Sequence, residues 1–229
     1  CEKRVTLYAL ILWRILQSSA SSQTWCILQY KKFFEHFKDI KIEDGKATVC
    51  LLESSYAELP TQQSLNGELK SESTSIYYLK KFDGKWKVVF DKVLEETTSM
   101  LYGDAKDLDI KLNVPSEIKA NTEYTASLEF VPPKDTIAIA SITSDLVEFP
   151  QKQAKEVYRT MPDDNILERL FTANNNKLNE YIVASIGLTK SEVTDLSLKL
   201  SLTGYGYKIK RVNVIPLETK EKITNDETK

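Results

Sequence analysis

The sequence predicts an α+β domain followed by an all-β sandwich. Three observations carry that expectation. The first forty residues repeat their apolar side chains at helical spacing. From residue 40 onward apolar and polar residues alternate, the period of a strand with one buried face. Turn dipeptides and prolines then cut the second half into short strands. A chain of 229 residues exceeds the commonest domain size, so two domains are expected.

The elements follow in order. Residues 5–16, VTLYALILWRIL, are the most apolar run and read as a core helix. With Arg14 inside it, the run falls short of the about twenty apolar residues that a membrane-spanning helix requires. Residues 18–24, SSASSQT, are a Ser-rich break. A second helix places Ile27, Tyr30, Phe33, Phe34 and Phe37 on one stripe, with Gln29, Lys32 and His36 opposite. Strands then begin. Asp44-Gly45 joins IKIE to KATVCLL, and Asp83-Gly84 joins residues 76–82 to 85–94. Both dipeptides supply the positive φ angles of a two-residue hairpin turn. Trp86, Val88 and Phe90 are expected on one face, with Lys85 and Lys87 on the other. Residues 53–75 are polar, hold Leu59-Pro60 and Asn66-Gly67, and read as a long loop or an irregular strand.

The stretch YYLKKFDGKWKVV, residues 77–89, resembles the last hairpin of the nuclear-transport-factor-2-like, or cystatin-like, cone fold. Many small bacterial envelope lipoproteins carry such a hairpin. The resemblance implies helices packed on a curved antiparallel sheet, with a pocket between them. Tyr77, Tyr78, Trp86 and Phe90 then either fill the core or line that pocket, and Tyr78 and Trp86 are its candidate ligand-binding residues.

Residues 101–108, LYGDAKDL, read as a linker, with the boundary near Gly103. The expected division is 1–102, 103–216 and a polar, disordered tail at 217–229. In the second part Leu108, Ile110, Leu112 and Val114 alternate with polar residues, as do Tyr124, Ala126, Leu128 and Phe130. Residues 136–142 and 181–187 are more uniformly apolar and are expected to be central. Ile166, Leu167, Leu170 and Phe171 have helical spacing behind Asp164, but their neighbours favour a strand. Gly204 and Gly206 are expected to bracket a turn, and the change of parity at Val212 predicts a bulge near Lys210-Arg211. About seven short strands in about 110 residues resemble an immunoglobulin-like domain in architecture, without its Cys-Trp-Cys signature.

The chemistry-bearing residues are few. The net charge is −2 and no basic stripe stands out, which argues against a nucleic-acid partner. His36 is the single histidine; beside Glu35, it reads as a solvated helix residue. Cys26 and Cys50 are either two buried thiols or a disulfide pair, and neither has a base near it in sequence. Asp104, Asp107 and Asp109, and likewise Asp163, Asp164 and Asn165, lack the turn pattern of a calcium loop. No phosphate-binding glycine motif occurs. Cys1 stands where bacterial lipoproteins carry their lipid, and Glu2 is compatible with outer-membrane retention as that class implies it. The expectation is a non-enzymatic envelope lipoprotein, without cofactor or metal, anchored to a membrane through Cys1 and facing the periplasm or the cell exterior. Its role there is binding or structural, towards a protein or a glycan. A small-ligand carrier using the pocket at Tyr78 and Trp86 is the alternative. An enzyme working through two facing carboxylates is a further one.

Overall fold

The structure, a computed structural model, describes residues 32–144, 157–176, 179–194 and 197–217. The expected helix at 5–16, the Ser-rich break, Cys1, Cys26 and the tail beyond residue 217 lie outside the described residues. The chain divides into two compact units, Cys1–Glu96 and Thr97–Lys229.

The first unit is a meander of long strands: β1 (Lys32–Glu43), β2 (Lys46–Gln62), β3 (Leu65–Phe82) and β4 (Lys85–Gly103), the last belonging to this unit as far as Glu96. Each strand lies beside the next in sequence. Three two-residue turns join them, each with positive φ at both positions: Asp44-Gly45, Gln63-Ser64 and Asp83-Gly84. This geometry matches the right-handed twist of the flanking strands.

The α+β expectation is therefore corrected. Residues 32–43 form a strand, and among the described residues the helical content is one 3-10 turn at Asp104–Asp107. β1 pairs with β2 from Lys32↔Tyr56 to Glu43↔Lys46, so its amides find partners across the ladder and not along a helix. Residues 53–75 are not a loop either. They continue β2 and β3, with an irregularity between Leu59 and Gln62 where Pro60 has no N–H to give.

One face of this sheet gathers Ala47, Val49 and Leu79, with Phe37, Tyr77, Trp86 and Val88 packed against them. Strand alternation then breaks in β4. Val88 joins this cluster, whereas the Phe90 ring lies 5.5 Å from Tyr78, which alternation from Tyr77 and Leu79 puts on the reverse face. Trp86, Val88 and Phe90 thus do not share a face.

The second unit takes β4 from Thr97 and adds β5 (Lys111–Asn113), β6 (Glu117–Lys119), β7 (Glu123–Glu129), β8 (Thr136–Thr143), β9 (Arg159–Thr160), β10 (Ile166–Thr172), β11 (Asn179–Thr194) and β12 (Ser197–Ile215). Its larger sheet runs β4-β12-β11-β8-β9, with β6 parallel to the end of β12. Its smaller sheet runs β10-β7-β5. Alternate residues of both sheets meet in one core: Leu112, Ala126 and Leu128 from the smaller, Ala140, Ile142, Ile182, Ala184, Ile186 and Val212 from the larger.

Leu101 and Tyr102, read from sequence as linker, are buried at the end of β4. They pair with Gly206 and Tyr205, whose ring stacks on Tyr102 at 4.8 Å. Gly204 and Gly206 bracket no turn; they lie inside β12, where a Cβ on Gly206 would stand 2.2 Å from the Met100 carbonyl oxygen. The strands approach this closely only because glycine has no side chain. The register irregularity of this ribbon falls at Leu188/Thr189, not near Lys210. Val212 belongs to the core, so its parity follows from facing, without a bulge.

Candidate functional site

The sequence-nominated residues do not assemble into one site. Trp86 is half-buried in the apolar cluster of the first sheet. Tyr78 is 39% exposed on the reverse face. A pocket lined by both is therefore not formed by this hairpin. Cys50 is a half-buried free thiol on β2. His36 is exposed on β1 opposite Leu52, two positions from Cys50 along β2. Asp104 pairs with Lys190 at 3.8 Å and Asp109 with Lys111 at 3.4 Å. Asp164 Oδ1 accepts a hydrogen bond from the Ile166 amide. Among the described residues no group of three or more His, Cys, Asp or Glu side chains converges as metal ligands.

Two clusters that contain a carboxylate are buried enough to perturb titration. On the apolar side of the first sheet Glu35, Glu53 and Ser73 share one cross-strand row. Burial raises the Glu53 carboxyl above its ordinary range; the hydrogen bond from Ser73 Oγ at 3.3 Å opposes this, and the Glu35 carboxylate adds to it. Burial, then the carboxylates of Glu53 and Asp91, push the Tyr77 hydroxyl up to about 12.

In the second unit Tyr124 donates to Glu180 Oε1 at 2.5 Å, while the Asn174 amide and side chain donate to Oε2 at 3.1 and 2.8 Å. Both carboxylate oxygens are engaged, so this cluster ties β7 to the start of β11. Burial, with this bond, raises the Tyr124 hydroxyl. Lys208 donates to the Ile110 carbonyl and Arg169 to the Ile142 carbonyl, and the Arg169 guanidinium lies 5.2 Å from the Phe171 ring. These contacts satisfy backbone oxygens and hold the unit together.

The reverse face of the first sheet is different near the Asp83-Gly84 turn, where several side chains are large, charged or aromatic, and exposed. Lys46 stands directly opposite Lys80, and Glu43 opposite Lys46. The two-residue turn at Asp83-Gly84 brings Lys87 across from Lys80, and its ammonium lies 5.7 Å from the Phe82 ring. Lys46, Lys80 and Lys87 thus form a row across three strands, all exposed. Phe82 is 45% and Phe90 58% exposed beside it, with Phe90 against Tyr78. Like charges directly opposite on a sheet destabilise it, so this row does not serve the fold. Sequence reading missed it because Lys46 and Lys80 meet only through strand register. The signal available was the turn at Asp83-Gly84, which fixes the partners on its own hairpin.

The chain matches no model of a known protein family, no curated protein and no solved structure.

Proposed function

We propose that this chain is a non-enzymatic binding protein that works at a membrane surface of the cell envelope. The observation that carries the reading is the set of exposed rings Tyr78, Phe82 and Phe90 on the reverse face of the first sheet, with Phe90 against Tyr78. Single exposed apolar side chains are ordinary, whereas large adjoining ones mark a surface that a partner covers. The lysines around them add an attraction for an anionic partner.

The strand order of the second unit supports an immunoglobulin-like reading of that unit. Taken in sequence, β5, β7 and β10 correspond to strands A, B and E of one sheet. β8, β11 and β12 correspond to C, F and G of the other, with β9 beside C. In such sandwiches the edges and loops present binding surfaces on a rigid support.

The test is fractionation of the cells that make the protein, with the chain followed by a C-terminal tag. Recovery with the membranes is expected. Recovery in the cytosol, with nothing in the membrane fraction, contradicts the proposal.

A further inference from the structure

The reverse face of the first sheet binds the headgroups of an anionic lipid bilayer, we infer, through the row Lys46, Lys80 and Lys87 and the adjoining rings of Phe82 and Phe90. The inference deepens the proposed function by naming the surface and its partner, and it rests on that reading only for the setting.

Charge complementarity is the first argument. Residues 80–87 hold Lys80, Lys81, Lys85 and Lys87 against the single acid Asp83, a local net charge of +3 in a chain whose net charge is −2. Next to the row, acids on this side lie towards β1: Glu43 faces Lys46 across the ladder, and Asp39 stands 3.6 Å from Lys41, while Glu58, Glu68 and Glu72 lie further along β2 and β3. Lys80 and Lys87 have no acid opposite them.

The composition of the face selects among anionic partners. The cores of protein–protein interfaces are enriched in aromatic residues but depleted in lysine. Here lysines and aromatics alternate within one patch, the mixture suited to a lipid interface. There the rings settle at the headgroup boundary and the flexible lysine stems carry their ammonium groups to the phosphates.

Single-stranded nucleic acid also pairs basic groups with aromatics, but it needs open ring faces on which bases stack. One face of each ring is already in contact: the Phe82 ring lies under the Lys87 ammonium, and the Tyr78 and Phe90 rings pack against each other at 39°. A stacking base would have to compete with these contacts, which favours lipid.

The experiment uses the purified full chain carrying Cys1→Ser, so that no acyl group contributes. It is sedimented with vesicles of phosphatidylcholine alone and with vesicles that also contain phosphatidylglycerol. Binding is expected only to the anionic vesicles, weakening as salt rises. Each of Lys46→Gln, Lys80→Gln and Lys87→Gln lowers the partition coefficient about fivefold. Phe82→Ser with Phe90→Ser lowers it at every salt concentration, because apolar insertion is not screened. Lys111→Gln and Lys134→Gln, in the second unit, leave it unchanged. All these side chains are exposed, and an unchanged circular dichroism spectrum verifies that each variant is folded.

Equal binding to neutral and anionic vesicles overturns the inference. So does the absence of binding, or insensitivity to the lysine variants. Tighter binding to a single-stranded oligonucleotide than to vesicles overturns it in favour of nucleic acid. A chain that fractionates with membranes in cells yet ignores the vesicles leaves the proposed function standing and removes only this surface. A chain that binds vesicles but is cytosolic in cells does the reverse.

Discussion

The two units differ in how large a core they close around their apolar side chains. The second closes two sheets over one core, where Leu128, Ile182 and Leu188 are fully buried and Phe130 is 1% exposed. The first is a single meander whose buried cluster is small, Ala47, Val49 and Leu79, while Phe82 and Phe90 stand at its surface. The difference teaches where each unit's large side chains are used. In the second many close one core between two sheets, although Val131, Val157, Leu170 and Leu200 stand exposed. In the first the exposed side chains include the aromatic rings of Tyr78, Phe82 and Phe90.

Mutations sharpen or break this comparison. The largest effect is expected at Gly206, where any Cβ overlaps the Met100 carbonyl. Gly206→Val should destabilise the second unit by on the order of 3 kcal/mol or more, read as a lower midpoint in denaturant. Leu128→Ala should cost about 3 kcal/mol in the same measurement, since it empties a fully buried position. A smaller cost would mean that this core is less tightly closed than described.

Glu53→Gln acts on the first unit and through pH. The Glu53 carboxyl is raised in the fold, so the folded state binds its proton more tightly than the unfolded chain. Stability from this group is full below its ordinary value of 4.5 and is lost as pH rises through the raised folded value. Glu53→Gln should abolish that dependence and stabilise the first unit at neutral pH, by less than about 1 kcal/mol because the group is only half-buried. Unfolding curves recorded across pH values from acid to neutral test this.

The smallest effect is expected at Ser185. Ser141 and Ser185 are register partners between β8 and β11, and neither buried hydroxyl has a hydrogen-bond partner. Ser185→Ala should be neutral or stabilise by up to about 1 kcal/mol, because it removes a desolvated group without breaking a bond. A loss above that would reveal a partner for the hydroxyl.

How much of this was legible in sequence depended on the kind of signal. Asp44-Gly45 and Asp83-Gly84 were, because Gly accepts positive φ and Asp tolerates it. Gln63-Ser64 adopts the same geometry without residues that announce it. The helical reading of this stripe failed over residues 32–37, the part of it that lies among the described residues, for a definite reason. Phe33 and Phe37 are four apart, a spacing that satisfies both the helical period and the strand period of two. The alternation in the second unit was legible from Tyr124, Ala126 and Leu128, since one buried face leaves an unambiguous pattern.

Of the nominated pair, the separation of Tyr78 and Trp86 follows from the Asp83-Gly84 turn, which places Trp86 opposite Lys81 and so on the other parity from Tyr78. The lysine row was not legible, because register is a property of paired strands and Lys46 and Lys80 lie on different ones.

The central claim is that the first unit carries the binding surface and the second does not. The most direct test is amine acetylation of the full chain, read residue by residue by mass spectrometry, with and without phosphatidylglycerol vesicles. The account predicts that vesicles protect Lys46, Lys80 and Lys87, while Lys111 and Lys134 react as before. Unchanged reactivity at all five, or protection confined to the second unit, would contradict it.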